Sequence, residues 1–265
     1  MLNKLLKYDL KWIFNKILIF FYILGIFFAI VGRGLVEIEN SFILNIIGKI
    51  CIGTSIAMAV NILINNLMRV WVRFTRNIYK DESYLTHTLP VEKKTIFLSK
   101  VLSAIITTVV SGIVIVLCVA ICYYSTENIE FIKTALEFVA STYNSSVVSF
   151  LLVTFVVFFL EIIFALLAGY LGIIIANKSN KLKTIKSVVF GFLAYMIPQI
   201  FTVVILFVVG LFNHDIMNLF NTTTTAFDVE TIKGILYGGI VIYICYIVIC
   251  YFVSTKLFEK GVNVE

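Results

Sequence analysis

Six runs of about 20 or more apolar residues follow one another along this chain, at about 17–36, 46–68, 101–124, 147–176, 188–212 and 232–254. A run of that length is what an α-helix needs to cross the roughly 30 Å hydrocarbon layer of a bilayer. Composition allows little else. Hydrophobic residues make up 61% of the 265 and charged residues only 14%, with a mean hydropathy of +1.04. Soluble domains sit nearer half apolar, so this chain cannot hide its apolar surface inside itself. The runs are too long and too uniform for barrel strands, which alternate over roughly ten residues, and Gly (14) and Pro (2) are scarce. The expected fold is an all-α membrane protein with six spans, read as a single transmembrane domain over residues 1–265. The first run is not a cleavable signal peptide, because it is long, no small-x-small site follows it, and further spans come after.

Orientation follows from the lysines and arginines. Of the 21, 17 lie in residues 1–16, 69–100, 177–187 and 255–265; the alternate segments hold only Arg33, Lys49, Lys133 and Lys233. By the positive-inside rule both termini and the loops after spans two and four face the cytoplasm. The net charge of +6 is then this topology signal summed, and it calls for no nucleic-acid partner. Residues 2–17 form an amphipathic pattern: Leu2, Leu6, Leu10, Ile13 and Ile17 make a stripe, with Leu5 and Phe14 beside it and Lys4, Lys7 and Lys11 opposite. Residues 1–16 are therefore expected to be an interfacial helix on the lipid surface, or else a solvated flank of the first span. Residues 125–145 are expected to carry a short helix on the outer surface. Within 213–231, Asp228-Val-Glu-Thr is a plausible cap for the sixth span.

Inside the spans, Glu161 is the one acid at mid-membrane. Such a residue costs about 2.5–3.5 kcal/mol to insert, so it is read either as a polar point on a translocation path or as a carboxyl group bonded to a neighbouring helix. Asn61 and Asn65 share a face of the second span, with Asn66 adjacent, and are read as interhelical hydrogen-bonding groups. Pro198 interrupts the fifth span. Ala165-x-x-x-Gly169 and Gly234-x-x-x-Gly238 are small-residue patterns that let helices approach closely. Cys51, Cys118, Cys122, Cys245 and Cys250 all lie in apolar runs without metal-ligand spacing and read as small hydrophobes.

Active-site chemistry is missing from the sequence. It has no Gly-x-x-x-x-Gly-Lys-Ser/Thr phosphate loop, no His-Glu-x-x-His zinc helix and no Gly-x-Ser-x-Gly elbow. His87 and His214 lie in loops and are read as solvated. The chain is thus not expected to be an enzyme, to bind a metal or to carry a cofactor of its own.

The polar island at 73–100 is the exception to the lipid-like composition. Arg69, Arg73 and Arg76 recur at helical spacing, so the second span is expected to run on as helix. Ile78, Leu85 and Leu89 keep roughly helical spacing, which gives a short cross-piece with Tyr79, Glu82 and Tyr84 exposed. Pro90 ends it and opens the next helix, whose first turn holds Val91, Glu92 and Lys93.

The pattern Tyr79-Lys-Asp-Glu82-Ser-Tyr84-Leu85-Thr-His-Thr-Leu89-Pro90-Val91, with Ser99-Lys100 beyond it, resembles the first cytoplasmic loop of bacterial ABC-2 type permeases. The likeness covers the whole chain in layout and about residues 76–100 in motif. It implies a permease subunit of an ABC exporter in the bacterial plasma membrane. It also implies a separate ABC ATPase that carries ATP and Mg, and a second permease protomer. The loop would act as a coupling helix against that ATPase, with Asp81, Glu82, Tyr84, Leu85 and Leu89 as its contact residues. An amphiphilic peptide, drug or lipid-like molecule is the implied substrate. Some members of the family carry re-entrant external helices between the last two spans, which puts residues 213–231 in question. Two other readings stand beside this one: a secondary transporter using Glu161, and a non-transporting scaffold or immunity protein.

Overall fold

The structure is a computed structural model that describes residues 1–38, 41–80, 82–142, 145–179, 181–212, 214–217 and 229–260. Ten helices hold nearly all of them, and among the described residues there is no strand. They are α1 (Leu2–Ile13), α2 (Lys16–Val36), α3 (Phe42–Tyr79), α4 (Ser83–His87), α5 (Lys93–Tyr123), α6 (Thr126–Thr142), α7 (Val147–Ala176), α8 (Lys183–Phe212), α9 (His214–Met217) and α10 (Val229–Glu259). Six of these, α2, α3, α5, α7, α8 and α10, are long and apolar enough to cross a membrane, in register with the six runs of the sequence.

Small polar residues set several of the helix starts. Asn15 accepts from Lys16 N to open α2, Ser41 from Leu44 N at 3.4 Å to open α3, and Ser146 from Ser149 N at 3.2 Å to open α7. Each satisfies an amide that has no partner in the first turn. α3 is 38 residues long, about 57 Å at 1.5 Å per residue, so part of it must extend past a hydrocarbon layer. That part carries Arg69, Arg73 and Arg76, as the spacing required. α5 begins later than Pro90 would dictate: Glu92 is extended and its carbonyl accepts from Thr95 N at 3.0 Å, so Lys93 is the first helical residue. Residues 126–142 form the helix expected between spans three and four. Most of 213–231, including the cap at Asp228 and any re-entrant helix, lies outside the described residues.

The helices group into two compact units, Met1–Phe131 and Ile132 onward. In the first, α3 packs on α2 and α5, and α1 packs on α5 and α3. Its core holds Leu18, Ala29, Ile62, Val70, Phe74, Ile78, Phe97 and Ala104. Hydroxyls and one amide are threaded through that core. Tyr22 OH lies 2.7 Å from Ser111 Oγ, Ser55 Oγ donates to the Gly25 carbonyl at 2.8 Å, and Asn66 Nδ2 donates to Thr108 Oγ1 at 2.8 Å. In lipid such bonds join helices because the groups find no water.

In the second unit α7 packs against both α8 and α10. The small-residue contact here is between Gly172 and Gly191: a methyl group on Gly172 would collide with the Gly191 backbone and sit 2.8 Å from the Ser187 carbonyl oxygen. Gly169 and Ala168 line the same approach, so the Ala165–Gly169 pattern of the sequence lies along the α7–α8 contact. Gly234 and Gly238 have nothing within 4 Å of an added methyl. α8 runs unbroken through Pro198.

Gly172→Ala should therefore push α7 and α8 apart at a cost of about 1–3 kcal/mol. It should lower the melting temperature of the detergent-solubilised chain. Gly53→Ala, at a site with nothing within 4 Å, should leave it unchanged.

Candidate functional site

The first candidate is a buried ionic junction where α1, α3, α4 and α5 meet. Asp9 on α1 is 2% exposed. It is held from three sides: Arg73 Nε donates to Oδ1 at 3.0 Å, Lys100 Nζ donates to Oδ1 at 2.6 Å, and Ser99 Oγ donates to Oδ2 at 3.2 Å. Arg73 then reaches on. Its Nη1 donates to Glu82 Oε2 at 2.5 Å, and Asn77 Nδ2 donates to the same oxygen at 3.0 Å. The guanidinium carbon lies 5.3 Å from the centre of the Trp12 ring, a cation–π distance. Two acids and two bases thus neutralise one another, with Arg73 bridging the acids. An open cleft of about 400 Å³ lies beside them, lined by Tyr8, Lys11, Trp12, Asn15, Arg73 and Glu82.

Glu82 tethers α4. Its carbonyl accepts from Thr86 N and Thr86 Oγ1, and His87 Nε2 lies 3.2 Å from the Ile78 carbonyl oxygen at the end of α3. Ser83 and Thr86 face inward and are buried, whereas Tyr84 is 75%, Leu85 67% and Leu89 42% exposed. Five helical residues suffice to sort the segment into an inner and an outer face. Burial alone would raise the Glu82 carboxyl, but the Asn77 hydrogen bond and the charge and hydrogen bond of Arg73, with Lys100 further away, hold it below its ordinary value.

Several sequence expectations change here. Tyr79 is buried, not exposed, because α3 continues through it and its ring packs edge-on against Phe74, centroids 6.2 Å apart. Glu82 turns inward onto Arg73 instead of outward. Tyr84 alone of the three is exposed as expected, and Leu85 lies beside it on the outer face. His87 folds back onto α3 instead of lying free in a loop. Asp81 lies outside the described residues, as does the side chain of His214. α1 packs on α5 and α3 with Ile13 buried and Leu2, Leu6 and Leu10 half-buried, while Lys4, Lys7 and Lys11 are exposed; Ile17 leaves the stripe because α1 ends at Ile13 and α2 begins at Lys16. Asp9, Arg73 and Lys100 were not among the expected site residues. A signal for Asp9 does exist: it falls four residues from both Leu5 and Ile13, on the buried side.

The second candidate lies within the spans of the other unit. Glu161 on α7 accepts from Tyr195 OH and, at 3.5 Å, from Gln199 Nε2, both on α8. Gln199 in turn bonds Tyr243 OH on α10 at 3.0 Å. One turn further along, Thr202 Oγ1 lies 3.1 Å from Tyr246 OH. Phe164 is buried among the rings of Tyr195, Tyr243 and Tyr246, with centroids 5.8, 6.1 and 5.8 Å away. Glu161 thus joins three helices. Asn61 and Asn65 do not: each donates to a carbonyl of its own helix, Ala57 O and Asn61 O. Asn66 makes the interhelical bond instead.

Comparison with family models, with curated proteins and with solved structures gives no match.

Removing one partner from a buried ionic group leaves the other charge unpaired in a dry place. Asp9→Asn should therefore cost about 3–5 kcal/mol, read as a large fall in melting temperature, whereas breaking the exposed Arg33–Glu37 pair with Glu37→Gln should change it little. The depressed Glu82 carboxyl stabilises the fold while it is ionised. Its contribution is complete above the ordinary glutamate value of 4.5 and is lost as pH falls below it. The difference in melting temperature between wild type and Glu82→Gln should stay constant from about pH 7 to about pH 5 and shrink below that.

Proposed function

We propose that this chain is the membrane-spanning permease subunit of an ABC-2 type transporter. In this reading it exports an amphiphilic molecule across the bacterial plasma membrane, with ATP hydrolysed on a separate ABC ATPase and a second permease protomer completing the pathway. One observation carries the reading. A five-residue helix, α4, is strung between two long membrane helices, α3 and α5. It is pinned on its inner face by Glu82 and Arg73 and offers Tyr84, Leu85 and Leu89 to solvent. An aromatic and two leucines held outward on a rigid base are the kind of anchors that carry binding energy at protein interfaces. The excess of lysine and arginine in the same segment supports a cytoplasmic position for α4 and for both termini. The outward Lys4, Lys7 and Lys11 of α1 fit a helix resting against anionic headgroups.

In this mechanism, closure of two ATPases on ATP pushes α4. Because α4 is tied to α3 through Arg73 and leads directly into α5, both membrane helices tilt with it and change which side of the pathway is open. The test is to look for an ABC ATPase among the neighbouring genes and to reconstitute it with this chain. Tyr84→Ala and Leu85→Ala should each weaken the complex by about 2 kcal/mol, roughly 30-fold in Kd, and should uncouple ATP hydrolysis from substrate movement. Unchanged affinity and coupling in the double variant would remove the reading.

A further inference from the structure

The cleft beside the ionic junction lies where two spans meet the membrane surface. Four of its six lining residues, Tyr8, Lys11, Trp12 and Asn15, come from the last two turns of α1 and the short link that follows. The next residue, Lys16, opens the first membrane helix, α2. Arg73 lines the cleft from α3, just past the apolar run that ends near residue 68. Five residues of helix rise only about 7.5 Å, so α3 and α1 both put the cleft at headgroup depth. Its volume of about 400 Å³ falls in the range of small-ligand sites, roughly 300–1,000 Å³.

The charge around it is one-sided. The junction itself is neutral, with Arg73 and Lys100 set against Asp9 and Glu82. Lys11 adds to that, and Lys7 and Lys4 lie four and then three residues before it, all three exposed. Among the described residues no acid pairs with Lys4, Lys7 or Lys11. The fitting ligand is therefore an anion. Tyr8 is 67% exposed, and with Trp12 four residues on it lines the cleft with rings of the kind that settle among lipid headgroups. Glu82 and Asn15, which also line it, can accept from the hydroxyls of a glycerol headgroup.

We infer that this cleft binds the headgroup of an anionic glycerolipid, with its phosphate against Lys11 and Arg73 and its acyl chains in the bilayer. Phosphatidylglycerol carries both the phosphodiester and the hydroxyls that the lining residues call for. The site depends on the membrane spans and not on the transporter reading above.

The experiment uses the full chain in maltoside detergent, with binding of dioctanoyl lipids read by native mass spectrometry. Wild type should bind phosphatidylglycerol about fivefold or more tighter than phosphatidylcholine. Lys11→Gln should weaken phosphatidylglycerol about fivefold, the effect of one cation at the membrane surface. Lys4→Gln removes the same charge from the same helix but from outside the cleft, and should weaken it less than about twofold. Both lysines are exposed, so neither variant should move the melting temperature. Inorganic phosphate at the same concentration as the lipid should not displace it. Equal affinity for the two lipids, or undiminished binding in Lys11→Gln, would overturn the proposal. Equal losses in Lys4→Gln and Lys11→Gln would overturn it in favour of a diffuse attraction along α1, and displacement by phosphate would overturn the lipid assignment in favour of a free anion.

Discussion

Arg73 holds the N-terminal unit together at one end. Its guanidinium is fixed on one side by Asp9 from α1 and on the other by Glu82 at the start of α4, while Trp12 covers its face. A planar, always charged fork suits this task, because it serves two carboxylates at once and stacks on a ring; a lysine could do only part of it. Lys100 supplies the second positive charge on Asp9 from α5. Without that charge balance, four helices could not bring these side chains out of water together. With it, the direction in which α4 points is set by ionic geometry and not by the short helix itself, which has too few residues to be stable alone.

Polar chemistry is distributed differently in the two units. In Met1–Phe131 the charges gather at one end, and the helices between them are joined by neutral hydrogen bonds of Tyr22, Ser55 and Asn66. In the unit from Ile132 onward a carboxyl group, that of Glu161, lies at mid-span, and the helices meet through backbone proximity at Gly172 and Gly191. A bilayer tolerates the first pattern because the ions sit toward water. It tolerates the second only if the acid is well solvated by protein or has a partner.

The six spans were legible because bilayer thickness imposes a length that few other structures share, and the arginine spacing was enough to carry α3 past Arg76, though Ile78 and Tyr79 were read into the cross-piece that follows. What the sequence hid were choices between neighbouring positions. Three asparagines fall within six residues of α3; only Asn66 continues the buried row Ser55, Ala59, Ile62, Asn66 and Val70, a row visible once its spacing of three and four is followed through both polar and apolar residues. Asp9 escaped notice because the lysines of α1 define its polar side so strongly that an acid on the opposite side is passed over. Glu82 was noticed, but the chain reverses between it and Arg73, and no periodicity crosses such a turn. On α4 the exposure of Tyr84 was legible, but the inward turn of Glu82 beside it was not, since five helical residues are too few for a pattern to show which side is in.

The ionic junction also imposes an order on how the chain can be assembled. Asp9 is synthesised long before Arg73 and longer still before Lys100, the two bases that neutralise it. During that interval α1 carries an acid on its apolar side, and such a helix has every reason to stay in water or at the headgroups and none to enter the bilayer. It can seat only after the second and third hydrophobic runs have been delivered. α1 is thus made before its partners and docks after them, and the closing of Asp9 onto Arg73 and Lys100 requires α3 and α5 both to be in place.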